Sequence, residues 1–334
     1  MMKQNDSTNR LEYMDIFRGF GIVLMIMGHV YFGSRFDFFI HAFHMPMFFV
    51  ISGFFFKSSY DVALSVFIRK KARALLVPYI LFGLFHYVVN IFLYHNISLD
   101  PLKHLLFINT TGLPIAGALW FLTALFITEV IYFLIDRYIT NAAIRWIVII
   151  GIAGFGNCAG NILPFTMPYA MGAAMVGVGL FHMGYQIRRY ENFRLMQHIL
   201  NMPFYQWIIC TAATIFFIFQ NGYINMRAGI YDGILFFWIN VGLAVIVGIN
   251  CSKYIYNLIH DTYICKWLCS IGSNSIVYVC LNEFVILVVM NYFPNLFSWW
   301  FLIQISVFCI SMLILLLCSI LFTQTRLKVL IGKS

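Results

Sequence analysis

Arg18 and His29 stand eleven residues apart in one apolar run. At about 100° per residue, eleven helical steps return to within roughly 20° of the start and rise about 16.5 Å. A helix here therefore carries a guanidinium at one membrane face and an imidazole well inside, on the same stripe. A guanidinium grips phosphate oxygens through its fork of donors. An imidazole can remove a proton from a hydroxyl near neutral pH. Asp15 falls about 40° from His29 by the same arithmetic. Singly, Arg18 reads as a snorkelling anchor and His29 as a helix-packing hydrogen bond. On one face they read together as a phosphate grip below a reaction centre.

Further polar side chains sit where apolar ones are expected. His44 lies in the outer half of the stretch FFIHAFHMPMFFVISGFFFK, with Pro46, Ser52 and Gly53 after it. Pro46 predicts a kink, and Gly53 a close helix approach. His41 is nearer the outer surface and reads as interfacial. Glu283, in IGSNSIVYVCLNEFVI, lies about 18 Å from the inner end of its span, as His44 does of its own. A carboxylate beside His29 would orient the ring and keep it basic. Asn282 and Ser52 are candidate donors to an oxyanion. Arg69, Lys70, Lys71 and Arg73, with Lys57 before them, form a basic cluster in FIRKKARALLVPY. It reads either as attraction to anionic lipid or as a phosphate clamp. Glu129 reads equally as a partner of a structural Arg. The polar run Gly272 to Ser275 is expected to line a cavity.

The elements that must position these groups follow from composition. Of 334 residues, 62% are hydrophobic and 10% charged. A soluble domain is about 25% charged. A cytosolic enzyme, a secreted disulfide scaffold and a disordered chain are excluded. The expectation is an all-α polytopic transmembrane bundle. About 20 apolar residues cross the hydrocarbon. That ruler predicts about ten spans, near 15–33, 37–56, 75–94, 117–136, 146–165, 168–187, 203–220, 231–250, 271–292 and 298–322. With the N-terminus inside, only Arg35, Lys103 and Arg227 of the 21 Lys and Arg residues fall outside. Both termini are therefore expected in the cytoplasm. The net charge of +9 becomes topology, and nucleic acid is not an expected partner. A single membrane domain over 1–334 follows, with a polar segment 1–14 and no extra soluble domain. The eight Cys read as apolar filler. No zinc spacing appears, so no metal is expected. Asn96 and Asn109 begin glycosylation sequons, a pattern common by chance.

The stretches RLEYMDIFRGFGIVLMIMGHV, HAFHMPMFFVISGFFF, RKKARALLVPY, GALWFLTALF and IGSNSIVYV resemble the acyltransferase family 3 membrane proteins, in particular the fucose 4-O-acetylase-like branch. They run in the family's order from residue 10 to about 290. The resemblance implies a multi-pass enzyme of the bacterial inner membrane. Such an enzyme moves an acyl group, usually acetyl, from cytoplasmic acyl-CoA to a sugar hydroxyl of a surface glycan or its lipid-linked precursor. It implies that Arg18 and His29 are the essential pair, and that Arg69, Lys70 and Arg73 are the basic cluster that meets acetyl-CoA. Asp15, Ser52 and Trp120 are placed with that ligand-binding set; Ser52, Gly53 and Trp120 match recurrent family positions of unknown role. His29, His44, Glu283 and Asn282 form the candidate catalytic set. One departure stands out. Many relatives carry a His near the position of Asn282 and Glu283, so that role is lost here or passed to Glu283. A transporter or flippase of a glycan or acyl intermediate is the rival reading. It too explains ten spans and buried His and Glu, although no internal repeat supports it. A catalytically dead scaffold is the third.

Overall fold

The computed structural model describes residues 11–58, 62–95, 97–113, 115–292 and 299–333. Lys3, Arg10 and Asn96 lie outside the described residues.

The chain folds as an all-α membrane bundle. Among the described residues, eight helical stretches are long and apolar enough to cross a membrane. The first is α1 (Glu12–Val30). The second is broken into α2 (Ser34–His41) and α3 (His44–Phe54). The third runs over Leu64–Tyr94, as α4 (Leu64–Lys71), a π-helical turn (Ala72–Leu76) and α5 (Val77–Tyr94). A short α6 (Asp100–Leu106) then leads to the fourth, whose main part is α7 (Trp120–Tyr138), and the fifth, α8 (Ala142–Ile162). The sixth, seventh and eighth are α12 (Ile234–Ile259), α14 (Ser275–Tyr292) and α15 (Trp300–Gln324).

The expected count of about ten differs for two reasons. The stretch near 203–220 is a bent pair, α10 (Arg194–Leu200) and α11 (Phe204–Gln220), turning by 77°. Counted as one span, it is the ninth. The stretch near 168–187 is α9 (Met171–Arg189), 19 residues long. His182, Gln186, Arg188 and Arg189 make it too polar to be marked by composition. It packs among α3, α7 and α8, and a helix enclosed by protein need not be apolar toward lipid.

Helix association inside lipid depends on close packing of small residues, because lipid tails are as apolar as leucine. The contact between α3 and α9 shows this. A Cβ on Gly53 would strike the Phe181 carbonyl, and one on Gly184 would strike the Val50 carbonyl. The same device joins α1 to α13 (Tyr263–Ser273), where Gly272 abuts the Asp15 carbonyl and a Cβ on Gly19 would come within 2.8 Å of the Leu268 carbonyl. Large side chains on α5, α8, α11, α12 and α15, such as Leu84, Ile147, Phe216, Leu235 and Leu317, face outward and form the lipid surface. Glu129 pairs with Lys71 at 2.7 Å, and Arg145 with Asp136 at 2.9 Å.

Three interruptions divide the helices. Pro46 does not kink a helix; the break falls at Ala42–Phe43, and Pro46 sits in the first turn of α3, where a missing N–H costs nothing. The π turn precedes Pro78, which has no N–H for the Ala74 carbonyl; the backbone widens and Val77 bonds back to Ala72. The expected span 271–292 is divided at Asn274 into α13 and α14. Asn141 caps α8 through its side chain, accepting from the Ala143 and Ile144 amides. A small antiparallel hairpin, β1 (Ile224–Asn225) and β2 (Ile230–Tyr231), precedes α12.

Candidate active site

His29 lies in the last turn of α1, which ends at Val30 against a left-handed Tyr31. Arg18 is near the opposite end of the same helix. Glu283, on α14, reaches His29: Oε1 is 3.6 Å from His29 Nδ1. The other oxygen, Oε2, accepts from the Gly117 amide at 2.8 Å. Gly117 opens the short 3-10 turn (Gly117–Leu119) that leads into α7. The carboxylate is thus fixed from two sides, and Oε1 is buried with no hydrogen-bond partner. With Nδ1 turned to the carboxylate, Nε2 is the ring nitrogen left to accept a proton. The His29 side chain is 32% exposed and that of Glu283 19%, so the pair is sheltered but reachable.

A cavity of about 130 Å3 opens on His29. His41, His44, Gly117, Trp120 and Arg227 share its wall. The break between α2 and α3 brings the two further histidines there. His44 Nδ1 donates to the Ile40 carbonyl at 2.7 Å, which leaves its Nε2 as an acceptor. Its ring meets that of His41 edge-on at 5.1 Å. His41 faces Asp37, with 3.2 Å between Nδ1 and the carboxylate. Arg227 enters from the hairpin, its Nε donating to the Thr110 carbonyl at 2.7 Å. The space beside Gly117 is tight: a Cβ there would lie 2.7 Å from Glu283 Oε1 and closer still to Arg227 Nη1.

The opposite end of the bundle is basic. Arg18 pairs with Asp15 at 3.7 Å and lies over the Phe55 ring. Gly272, against Asp15, is followed by Ser273 and Asn274, and both of these accept from Lys333 Nζ. Gly332 in turn packs on the Arg73 backbone. These contacts place Arg18, Arg73 and both described chain ends at one end of the molecule. Arg69, Lys70 and Arg73 are exposed, whereas Lys71 turns inward to Glu129.

The structure therefore brings His29, Glu283, His44 and Trp120 together, and Arg18, Asp15 and Arg73 separately at the other end. Trp120 belongs to the histidine cavity and not to the basic end. Ser52 donates to the Phe48 carbonyl one turn back. Asn282 is fully buried, and its amide donates to the Tyr278 and Val279 carbonyls of its own helix. Neither joins the cavity wall. The run Gly272–Ser275 packs against α1 and Lys333. Asn109 is fully buried and donates to Thr123 at 2.7 Å, so its sequon is closed to modification in this fold. Gly117 and Arg227 are the residues that sequence reasoning missed. The one available signal was that Arg227 is among only three cations expected outside.

A histidine–carboxylate pair thus lies at one end of the bundle and a basic surface at the other, in a protein whose helices are those of a multi-pass membrane protein. A family model described as an acyltransferase domain matches residues 11–324. The chain belongs to that family, acyltransferase family 3, and is a multi-pass membrane acyltransferase. A search of curated proteins finds no match.

Proposed function

We propose that the protein is an O-acetyltransferase. It takes acetyl, or another short acyl group, from cytoplasmic acyl-CoA and places it on a sugar hydroxyl of a surface polysaccharide or its lipid-linked precursor. The observation that carries this reading is the alignment on α1: His29, backed by Glu283 at 3.6 Å, lies about three turns from Arg18 on the same helix. The phosphates of acyl-CoA are suited to Arg18, Arg69, Lys70 and Arg73 on the cytoplasmic side, where arginine forks match phosphate geometry. The pantetheine arm extends along the rise of about 16.5 Å between Arg18 and His29.

At the cavity, His29 Nε2 takes the proton of the sugar hydroxyl. The oxygen attacks the thioester carbonyl, and the carbonyl electron pair moves onto its oxygen. The intermediate then collapses, the carbon–sulfur bond breaks, and the CoA thiolate leaves with the proton that His29 held. Glu283 stabilises the imidazolium between these steps, and Trp120 offers a flat apolar face to the sugar. Glu283 thereby occupies the place of the histidine that many relatives carry in this span.

The test is made in cells that depend on this chain for glycan acylation. Mass spectrometry of the surface glycan is expected to show an acetyl increment with the wild type and none with His29→Ala, at equal levels of membrane-inserted protein. Undiminished acetylation by His29→Ala would sink the reading. A protein that moves the glycan but leaves the thioester of acyl-CoA intact would establish the transporter instead.

A further inference from the structure

A second cleft, about 250 Å3 in volume, lies on the far side of the β1–β2 hairpin from the histidine cavity. Met226 and Arg227 line both spaces. The hairpin is their common wall, and it is held in place. Asn225 accepts from the Ala228 amide at 3.0 Å. Gly229 adopts φ +72°. A Cβ on Gly160 of α8 would come within 2.9 Å of the Gly229 carbonyl. Among the described residues lining the cleft, Arg227 is the only charged one. Its Nε is anchored on Thr110 and its Nη1 borders Gly117 and Glu283, which leaves Nη2 for a ligand. The rest of the lining is small or apolar, glycines and alanines with Leu163, Met167 and Met226, and Phe165, 62% exposed, presents an aromatic face. The wall also holds Ala170 in the left-handed region, next to Tyr169, at φ +56° and +53°. Consecutive non-glycine residues in that region are strained and are found where function shapes the backbone.

We propose that this cleft is an acceptor subsite. It takes the saccharide unit next to the one being acylated, and Arg227 binds an anionic substituent on it, a carboxylate or a phosphate. The inference rests on the reading that a saccharide is the acceptor. Charge complementarity carries it: the one fixed charge in the lining is positive, and it stands where the cleft meets the cavity containing His29. A chain of sugars lying across the hairpin would place one unit at His29 and its neighbour at Arg227. Glu283 Oε1 and Arg227 Nη1 both border the space beside Gly117, so Nη1 serves the histidine cavity and Nη2 is the nitrogen left for the anionic substituent.

The test measures binding of three oligosaccharides of equal length to the full chain in detergent by titration calorimetry: one of glucuronate units, one neutral, one carrying phosphate. The wild type is expected to bind one of the charged ligands about tenfold more tightly than the neutral one, the scale of one charge-assisted hydrogen bond. Which charged ligand gains tells carboxylate from phosphate. Arg227→Gln is expected to erase the preference while keeping the neutral affinity, and Arg227→Lys to retain part of it. Gly172→Phe fills the cleft from a position where a Cβ meets only the Met167 sulfur at 4.0 Å; it is expected to weaken all three. Equal binding of the three ligands by the wild type, or an unchanged preference in Arg227→Gln, would overturn the proposal. Acetyl transfer from acetyl-CoA, followed in the same samples, separates the two readings. Charged-ligand preference without transfer removes the acetyltransferase reading and leaves the subsite. Transfer without charge preference does the reverse.

Discussion

At the scale of residues, the proposed reaction centre depends on how tightly its carboxylate is held. Glu283 is fixed by the Gly117 amide and by the approach of His29. Gly117→Ala places a methyl group against Glu283 Oε1 and Arg227 Nη1. Displacing a catalytic group by about 1 Å can cost on the order of 10²-fold, so this variant should lose transfer on that order while eluting as a folded protein on size exclusion. Glu283→Gln keeps an oxygen for the Gly117 amide but removes the charge behind the imidazole. Its kcat should fall by about 10²-fold, within the range of general-base contributions, with KM for acyl-CoA unchanged in steady-state assays. Much of this centre was legible in the sequence. His29, His44 and Glu283 are polar groups deep in apolar runs, and their cost in lipid marks them as site candidates. Gly117 and Arg227 were not legible. A glycine's role as a backbone donor leaves no mark in composition, and Arg227 reaches the site only because a hairpin folds back over the cavity.

At the scale of elements, the bundle positions the site through breaks and close approaches. The gap between α2 and α3 turns His41 and His44 toward His29. The glycines on α3 and α9 let those helices touch backbone to backbone. Gly53→Ala should destabilise the protein by about 1–3 kcal/mol through overpacking, visible as a lowered Tm in detergent. The Lys71–Glu129 pair makes a sharper forecast. Lys71→Met leaves a buried carboxylate without its cation and should cost about 3–5 kcal/mol. The double variant Lys71→Met, Glu129→Leu should melt closer to the wild type than either single change. Spans such as α1, α8 and α15 were readable, because an apolar run of membrane length has few other uses. The break at Ala42–Phe43 was displaced from the expected kink at Pro46, since a proline in a first turn disturbs nothing. Helix α9 reads as apolar to the eye yet is too polar on average, because its neighbours are protein on several sides. Contacts between helices decide these features, and one chain read in order does not display them.

At the scale of the whole molecule, the basic end and the histidine end are opposite ends of one bundle, and both described chain ends meet at the basic one. The positive-inside rule then predicts Arg69 in the cytoplasm and the hairpin outside. In a background freed of native cysteines, Ala228→Cys should react with a membrane-impermeant maleimide in intact cells, and Arg69→Cys only after permeabilisation. The reverse pattern would invert the molecule and detach the basic end from cytoplasmic acyl-CoA. Given that orientation, the central claim is that His29 moves an acyl group from a thioester held on one face to a hydroxyl presented on the other. Purified protein in detergent, given acetyl-labelled acetyl-CoA and a saccharide acceptor, measures this directly. The wild type should transfer label to the sugar and release free CoA in equal amount, and His29→Ala, folded and able to bind acetyl-CoA, should transfer none. Label reaching the sugar at the wild-type rate in His29→Ala would contradict the account.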